Sequence, residues 1–189
     1  GTVDLTRAIA NGTNSDLTVR ATTGELSILD GEAGGMITLV KQGTTGILTA
    51  DTLLAGTGAT LTSDTDIEAT TVETVTGDLA FTARGNVTVV NPLAADDVAI
   101  DAGGTINTAD ISARDDIALR AGNTLHVGTL TSGIAIGGTG PVDTAGAADA
   151  LLDENLAGHD IFVQGGNVTL SQATANGAGS DLTVDATSG

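Results

Sequence analysis

Two pairs of adjacent aspartates are the residues of this sequence whose type and spacing best suit chemistry. Asp96-Asp97 and Asp115-Asp116 are offset by nineteen residues, and clustered carboxylates are ligands that Ca²⁺ prefers. If the two pairs lie on neighbouring turns of a regular structure, like charges come within about 5 Å of each other and must be neutralised or hydrogen-bonded. We therefore treat these four residues as candidate Ca²⁺ ligands. The alternative is that each carboxylate accepts hydrogen bonds from N–H groups of its turn.

Other constellations that carry chemistry are lacking. The sequence has no Cys, Trp or Tyr, which removes thiol catalysis and Cys-based zinc sites. His126 and His159 have no Ser/His/Asp or metal-ligand spacing around them. The calcium motif GGxGxD is approached only at 137–143, where the Asp is displaced by one residue. We expect no catalytic residues and no cofactor other than weakly bound Ca²⁺.

Charge excludes two classes of partner. The chain of 189 residues carries 24 acidic and 6 basic side chains, a formal net charge of −18. Nucleic-acid binding depends on Lys and Arg that neutralise phosphates, and anionic membranes attract the same residues. No apolar run approaches the length of a membrane-spanning helix. With 40% apolar residues, the chain nevertheless has enough small aliphatic side chains to form a buried core.

A short repeat determines where the aspartates lie. Leu79, Val98 and Ile117 follow Asp78, Asp97 and Asp116, and successive members are nineteen residues apart. Each begins an alternating run of apolar and small or polar residues, and glycines separate the runs, which is typical of short strands with one buried face. A rung of about twenty residues with glycine corners indicates an all-β parallel β-helix, or β-solenoid. We expect these three aliphatic residues to stack in its core.

A longer repeat indicates a tandem organisation. Residues 1–24 and 166–189 match at 15 of 24 positions without a gap, whereas chance gives about two matches for this composition. We therefore predict that 1–165 is one repeat unit and that 166–189 begins the next. About eight coils of about twenty residues fill the 165-residue offset, a rise of about 40 Å.

One stretch departs from this rhythm. Residues 133–158 contain one rung plus extra residues, and 147–156 has helical character, with Leu152 and Leu156 four residues apart. We expect a loop or short helix that projects from the coil. One interpretation is that this segment binds a ligand. The other is that it only covers part of the coil, because insertions in solenoids map to loops.

The repeats resemble a known family. Residues 77–130, GDLAFTARGNVTVVNPLAADDVAIDAGGTINTADISARDDIALRAGNTLHVGTL, are similar to the repeat regions of filamentous-haemagglutinin-type exoproteins, the large adhesins of two-partner secretion systems in Gram-negative bacteria. The resemblance implies a right-handed parallel β-helix shaft that is exported and displayed on the cell surface, with roles in adhesion, aggregation or biofilm. It implies no catalytic residues. The family's N-terminal secretion domain is not evident in these residues.

The sequence thus predicts a structural, non-enzymatic shaft segment of an extracellular fibrous adhesin. Its expected partners are adjacent repeat units of the same chain, with lateral self-association or host-surface ligands as further partners. A surface module that binds a ligand or Ca²⁺ is the first alternative. A carbohydrate-active β-helix enzyme is the second, because polysaccharide lyases and hydrolases share this fold. An ice-binding face is disfavoured, since no Thr-x-Thr row recurs at the coil period.

Overall fold

A computed structural model describes residues 1–94, 96–133 and 160–187. Sixteen strands account for most of these residues. In chain order they are β1 Val3–Ala10, β2 Leu17–Ala21, β3 Leu26–Ala33, β4 Met36–Lys41, β5 Leu48–Ala55, β6 Gly58–Ser63, β7 Ile67–Thr74, β8 Leu79–Ala83, β9 Val87–Ala94, β10 Val98–Ala102, β11 Ile106–Ala113, β12 Ile117–Ala121, β13 Thr124–Ser132, β14 Ile161–Gly165, β15 Asn167–Ala175 and β16 Leu182–Ala186. None of the described residues forms a helix capable of crossing a membrane.

The strands alternate between two parallel sheets, each eight strands wide. Odd-numbered strands form the long-strand sheet in the order β1 to β15, and even-numbered strands form the short-strand sheet in the order β2 to β16. One long and one short strand therefore make a coil, and each coil hydrogen-bonds to the next in parallel register. The predicted parallel β-solenoid of about eight coils is confirmed.

The coil count refines the predicted rise. Leu17 and Leu182 occupy the same place in the first and eighth coils, so their 165-residue offset contains seven coil steps. One step is long, because Ile117 pairs with Ile161 across 44 residues. The rise over 165 residues is therefore about 34 Å at about 4.8 Å per coil. Residues 134–158 of the predicted insertion, including the helical stretch at 147–156, lie outside the described residues.

Side-chain alternation explains which residues form which element. Short strands such as β8 follow the pattern of one buried residue, one outward residue, one buried residue, as a half-buried strand requires. Long strands break this alternation at their centre. Two successive residues, for example Asp51-Thr52 in β5, both point outward between buried pairs on either side. The long strand therefore has two arms with inward faces, and the short strand closes the coil as the third side.

Aliphatic ladders fill the interior. Leu79, Val98 and Ile117 are paired in register on β8, β10 and β12, and all three are fully buried, as predicted. On the same strands Phe81 stacks with Ile100, and is the single aromatic residue of the described core. Each coil contributes one residue to each ladder, and the interior is narrow. Val, Ile, Leu and Ala are therefore favoured over the larger aromatic side chains.

Glycines lie where neighbouring coils approach most closely. At the corner after β12, a Cβ on Gly122 would lie 2.2 Å from the carbonyl oxygen of Gly103 in the coil below. Gly56 and Gly34 stand in the same relation at a second corner, also at 2.2 Å. Backbone stacking without side chains is the reason for glycine at these positions.

Lys41 interrupts one ladder. It occupies a position that neighbouring short strands fill with Ala21 or Ser63, and it is 1% exposed. Its Nζ donates hydrogen bonds to the carbonyl oxygen of Gly43 at 2.7 Å and to Oγ1 of Thr65 at 2.8 Å. The amine thus ties two coils together at the corner after the short strands.

Candidate cation site at the aspartate corner

The corner that precedes the short strands carries a column of stacked aspartates. Asp78, Asp97 and Asp116 come directly before β8, β10 and β12, whose first residues pair with each other. Asp160 and Asp181 extend the column before β14 and β16. The structure therefore confirms that the aspartates of the nineteen-residue repeat lie one above another.

Four of the five carboxylates in this column, all but that of Asp181 in the last coil, accept a hydrogen bond from the backbone of the next coil. The N–H of Asp97 donates to Oδ1 of Asp78 at 3.3 Å, and the N–H of Asp116 donates to Oδ1 of Asp97 at 3.1 Å. The N–H of Asp160 donates to Asp116, and that of Asp181 donates to Asp160. We call these five residues the aspartate ladder. The donors of these four hydrogen bonds belong to the neighbouring coil.

Burial makes these hydrogen bonds important. Asp97, Asp116 and Asp160 are 1%, 3% and 5% exposed. A buried carboxylate without hydrogen bonds is costly, and like charges at neighbouring ladder positions repel each other. Donation from a main-chain N–H stabilises each charge and at the same time satisfies a buried donor.

A second layer of aspartates stands beside the ladder. Asp96 and Asp115 precede Asp97 and Asp116, and the N–H of Asp115 donates to the carbonyl oxygen of Asp96 at 3.3 Å. One carboxylate oxygen each from Asp96, Asp97 and Asp115 lies within 4.8 Å of the other two. Asp97 and Asp115 are buried, and Asp96 is half-buried. We call these three residues the aspartate cluster.

The geometry of the aspartate cluster suits a hard cation. Three oxygens up to 4.8 Å apart surround a point about 2.8 Å from each of them, slightly beyond the 2.3–2.6 Å of Ca²⁺ coordination. A small contraction would bring them into range, and oxygen-only ligation matches the preference of Ca²⁺. Of the four predicted ligands, the structure brings together Asp96, Asp97 and Asp115. Asp116 is not part of this group. It lies next to Asp97 in the aspartate ladder.

A second polar ladder was not predicted from the sequence. At the corner before the long strands, the N–H of Asn86 donates to Oδ1 of Asp66 at 2.7 Å, and the N–H of Thr105 donates to Oδ1 of Asn86 at 2.8 Å. The spacings of twenty and nineteen residues were the available signal. An amide thus performs the same task as a carboxylate one coil away.

His126 does not join a site among the described residues. His126 is exposed on the outward face of β13, where it pairs with Asn107 and Thr169. Both register partners are neutral, so His126 has no acidic partner in the strand register. His159 lies outside the described residues.

A groove of about 420 Å³ lies at the carboxyl ends of the long strands β1, β3 and β5. Its lining includes three glycines, the polar residues Asn11, Thr13 and Glu32, and the apolar residues Leu54 and Val75. Glu32 is the one titratable residue in this lining.

Comparison with family models, with curated proteins and with solved structures found no match to this chain, so the repeating coil and the aspartate corner are the basis of the functional argument.

Proposed function

We propose that this chain is a structural shaft segment of a repetitive, extracellular fibrous adhesin. The observation that carries the proposal is the relation between its first and last coils. Of residues 1–24, the nine that are not exposed all recur unchanged 165 residues later. The nine residues that differ between the two copies are all exposed. Substitution confined to the surface is expected if the last coil has the same interior to fill as the first.

Uniform stacking supports a spacer role. Every coil pairs its backbone with the coil before it in parallel register, so stability is approximately a sum of nearest-neighbour terms and the stack can be extended by adding units. The formal charge of −18 keeps neighbouring rods apart and in solution. We propose accordingly that the chain has no enzymatic activity, acts at the cell surface of a Gram-negative bacterium, and has adjacent repeat units as its first partners. Adhesion, aggregation and biofilm formation are the roles that such a shaft serves.

Electron microscopy of a chain with several 165-residue units in tandem tests this proposal. We expect a thin, unbranched rod whose length grows by about 34 Å per added unit. The matched control carries the same number of units with Val3, Leu5, Leu17 and Val19 changed to Asp in every copy, which removes the shared interior. Separate globules joined by linkers in the unaltered chain would contradict the proposal.

A cation-binding surface module is the second candidate, and the aspartate cluster favours it. Isothermal titration with Ca²⁺ up to millimolar concentration tests it, with the Asp115→Asn variant as the ligand-depleted form and Asp51→Asn on the exposed face of β5 as the control. Heat that disappears in Asp115→Asn and persists in Asp51→Asn supports a site at the cluster. Absence of heat in the unaltered chain removes this candidate and leaves the shaft proposal intact.

A further inference from the structure

We propose that the corner after the long strands is a site of spontaneous deamidation at two Asn–Gly pairs, Asn11-Gly12 and Asn176-Gly177. The two pairs occupy the same place in the two copies of the 165-residue repeat. Each asparagine loses its side-chain amide without an enzyme, and the corner gains a negative charge. This inference does not depend on the proposed shaft function, because it concerns the chemistry of one turn.

Asparagine is chemically labile, and the reaction needs only the chain and water. The main-chain nitrogen of the glycine gives its proton to hydroxide and attacks Cγ of the preceding asparagine, which closes a five-membered imide. Nδ2 leaves as ammonia and takes the proton that it needs from water. Water then adds to one of the two imide carbonyls and yields aspartate or its β-linked isomer, isoaspartate. One water is consumed and one ammonia is released, with no oxidation or reduction.

The backbone geometry of the turn requires the glycine. The angle φ is 129° at Gly12 and 135° at Gly177, values that residues with a side chain rarely adopt. A Cβ on Gly12 would also lie 2.8 Å from Oγ of Ser15. Because glycine has no Cβ, its nitrogen can approach the neighbouring side chain closely. The turn therefore places after each asparagine the residue type that hinders imide formation least.

A hydroxyl group activates the first pair. Oγ of Ser15 donates a hydrogen bond to the carbonyl oxygen of Asn11 at 3.2 Å. That carbonyl and the nitrogen of Gly12 belong to one resonance-stabilised peptide unit. The hydrogen bond therefore stabilises the negative charge that spreads onto the oxygen when the nitrogen loses its proton. None of the described residues accepts a hydrogen bond from the N–H of Gly12, so this proton is available to solvent.

Water reaches this corner with neighbouring coils in place. Asn11 is exposed although the second coil follows it, and Asn176 is exposed although the seventh coil precedes it. Gly34 and Val75 occupy the same corner in the second and fourth coils, with a coil on each side, and both are exposed as well. Exposure is therefore a property of the corner and not of the first and last coils.

At Asn176 the amide that is lost also joins two coils. Its Nδ2 donates a hydrogen bond to the carbonyl oxygen of Ser132 at 2.7 Å, and Ser132 is fully buried at the end of β13. The product replaces this donor with a carboxylate oxygen, so that two acceptors face each other. Deamidation therefore removes a contact between the seventh and eighth coils.

Peptide mapping of the intact, folded chain after incubation in heavy-oxygen water tests the site. Trypsin releases residues 8–20, which contain Asn11. We expect Asn11 and Asn176 to convert to labelled aspartate and isoaspartate, and to convert faster at alkaline pH. Asn86 and Asn167, each followed by valine, are the controls and should stay intact. Conversion of either control as fast as that of Asn11 would overturn the proposal, as would the absence of conversion at Asn11.

Substitution of Ser15 tests the activation by the turn. Ser15→Ala should slow conversion of Asn11 by about twofold to tenfold, the range for one hydrogen bond, and Asn176 should be unaffected as an internal reference. Ser15→Thr keeps a hydroxyl and should restore the rate. In concentrated urea the three chains should react alike, because the turn is lost. An unchanged rate in folded Ser15→Ala would overturn the role of Ser15.

The Asn176→Asp variant measures the consequence for the coils. It reproduces the aspartate product and should lower the melting temperature, because the donor to Ser132 is lost. Asn167→Asp makes the same change in charge at an exposed position of β15 and should have little effect. Equal melting temperatures for the two variants would overturn the predicted loss of contact between the seventh and eighth coils.

Discussion

At the scale of single residues, the aspartate ladder and the Asn86 ladder perform one task with different side chains. Each presents an oxygen to a main-chain N–H of the next coil at about 3 Å. The carboxylate adds a negative charge beside other negative charges, whereas the amide adds none. The ladder positions therefore require an acceptor oxygen, and the charge is a separate property that Ca²⁺ binding would use.

Substitution of Asp97 separates these two properties. Asp97→Asn keeps the acceptor for the N–H of Asp116 and removes one charge from the stack, so we expect an unchanged or higher melting temperature. Asp97→Ala leaves that buried N–H without its acceptor and should lower the free energy of unfolding by about 1 to 3 kcal/mol. Thermal and urea denaturation followed by circular dichroism measure both. Equal losses for Asn and Ala would show that the charge, and not the hydrogen bond, stabilises this corner.

The sequence predicted part of this corner and missed the rest for a physical reason. The nineteen-residue spacing correctly predicted the stacking of Asp78, Asp97 and Asp116, because spacing determines register once coils stack. The partners of their carboxylates were not predicted, since the donors belong to residues one coil away and local turn chemistry does not include them. The burial of Lys41 was missed as well, because lysine is seldom buried.

At the scale of elements, the short strands were easier to predict than the long ones. In β8, β10 and β12 the first, third and fifth residues are buried, as alternation predicts, although Ala99 and Ala118 at the second position of β10 and β12 are buried as well. The buried residues of the long strands could not be predicted in this way, because two outward residues at their centre interrupt the alternation. The step between β12 and β14 spans 44 residues but is a single coil step. Division of the 165-residue repeat by about twenty residues per coil therefore gave one coil too many, and the rise per repeat was overestimated from the sequence.

The glycine corners give a test at this scale. Gly122→Ala places a Cβ 2.2 Å from the carbonyl oxygen of Gly103, and the stacked main chains must separate, at a cost of about 1 to 3 kcal/mol in the free energy of unfolding. Gly165→Ala is the matched control. Its position pairs with Ala186 of the next strand, and the nearest atom is 3.3 Å away. We expect a small effect there, measured by urea denaturation of both variants. Equal destabilisation would argue against close coil contact at Gly122.

At the scale of the whole molecule, charge opposes the compact state. A formal net charge of −18 is spread over a rod whose coils place acidic residues on a regular lattice, and self-repulsion of this kind destabilises folding. Two ion pairs, Arg7 with Asp30 and Arg84 with Asp64, offset part of this repulsion, and both are exposed. Exposed pairs contribute little.

Salt should therefore stabilise this protein. The Debye length falls from about 30 Å at 0.01 M to about 3 Å at 1 M ionic strength, which screens repulsion between coils while the aliphatic ladders remain unaffected. We expect the melting temperature to rise between 0.02 M and 0.5 M NaCl, with measurement at low protein concentration so that association between chains does not contribute. A falling melting temperature would mean that the ion pairs outweigh the repulsion. NaCl and choline chloride should act alike if screening is the cause.

The direction of the backbone hydrogen bonds has a consequence for load. Strands lie across the axis of the rod, so the hydrogen bonds between coils run along it. A force that pulls the two ends apart acts on one coil interface at a time and peels coils off in succession. Each coil of about twenty residues releases about 65 Å of chain when it straightens. Such a rod yields in small steps and lengthens more than tenfold per coil before its covalent chain bears the tension.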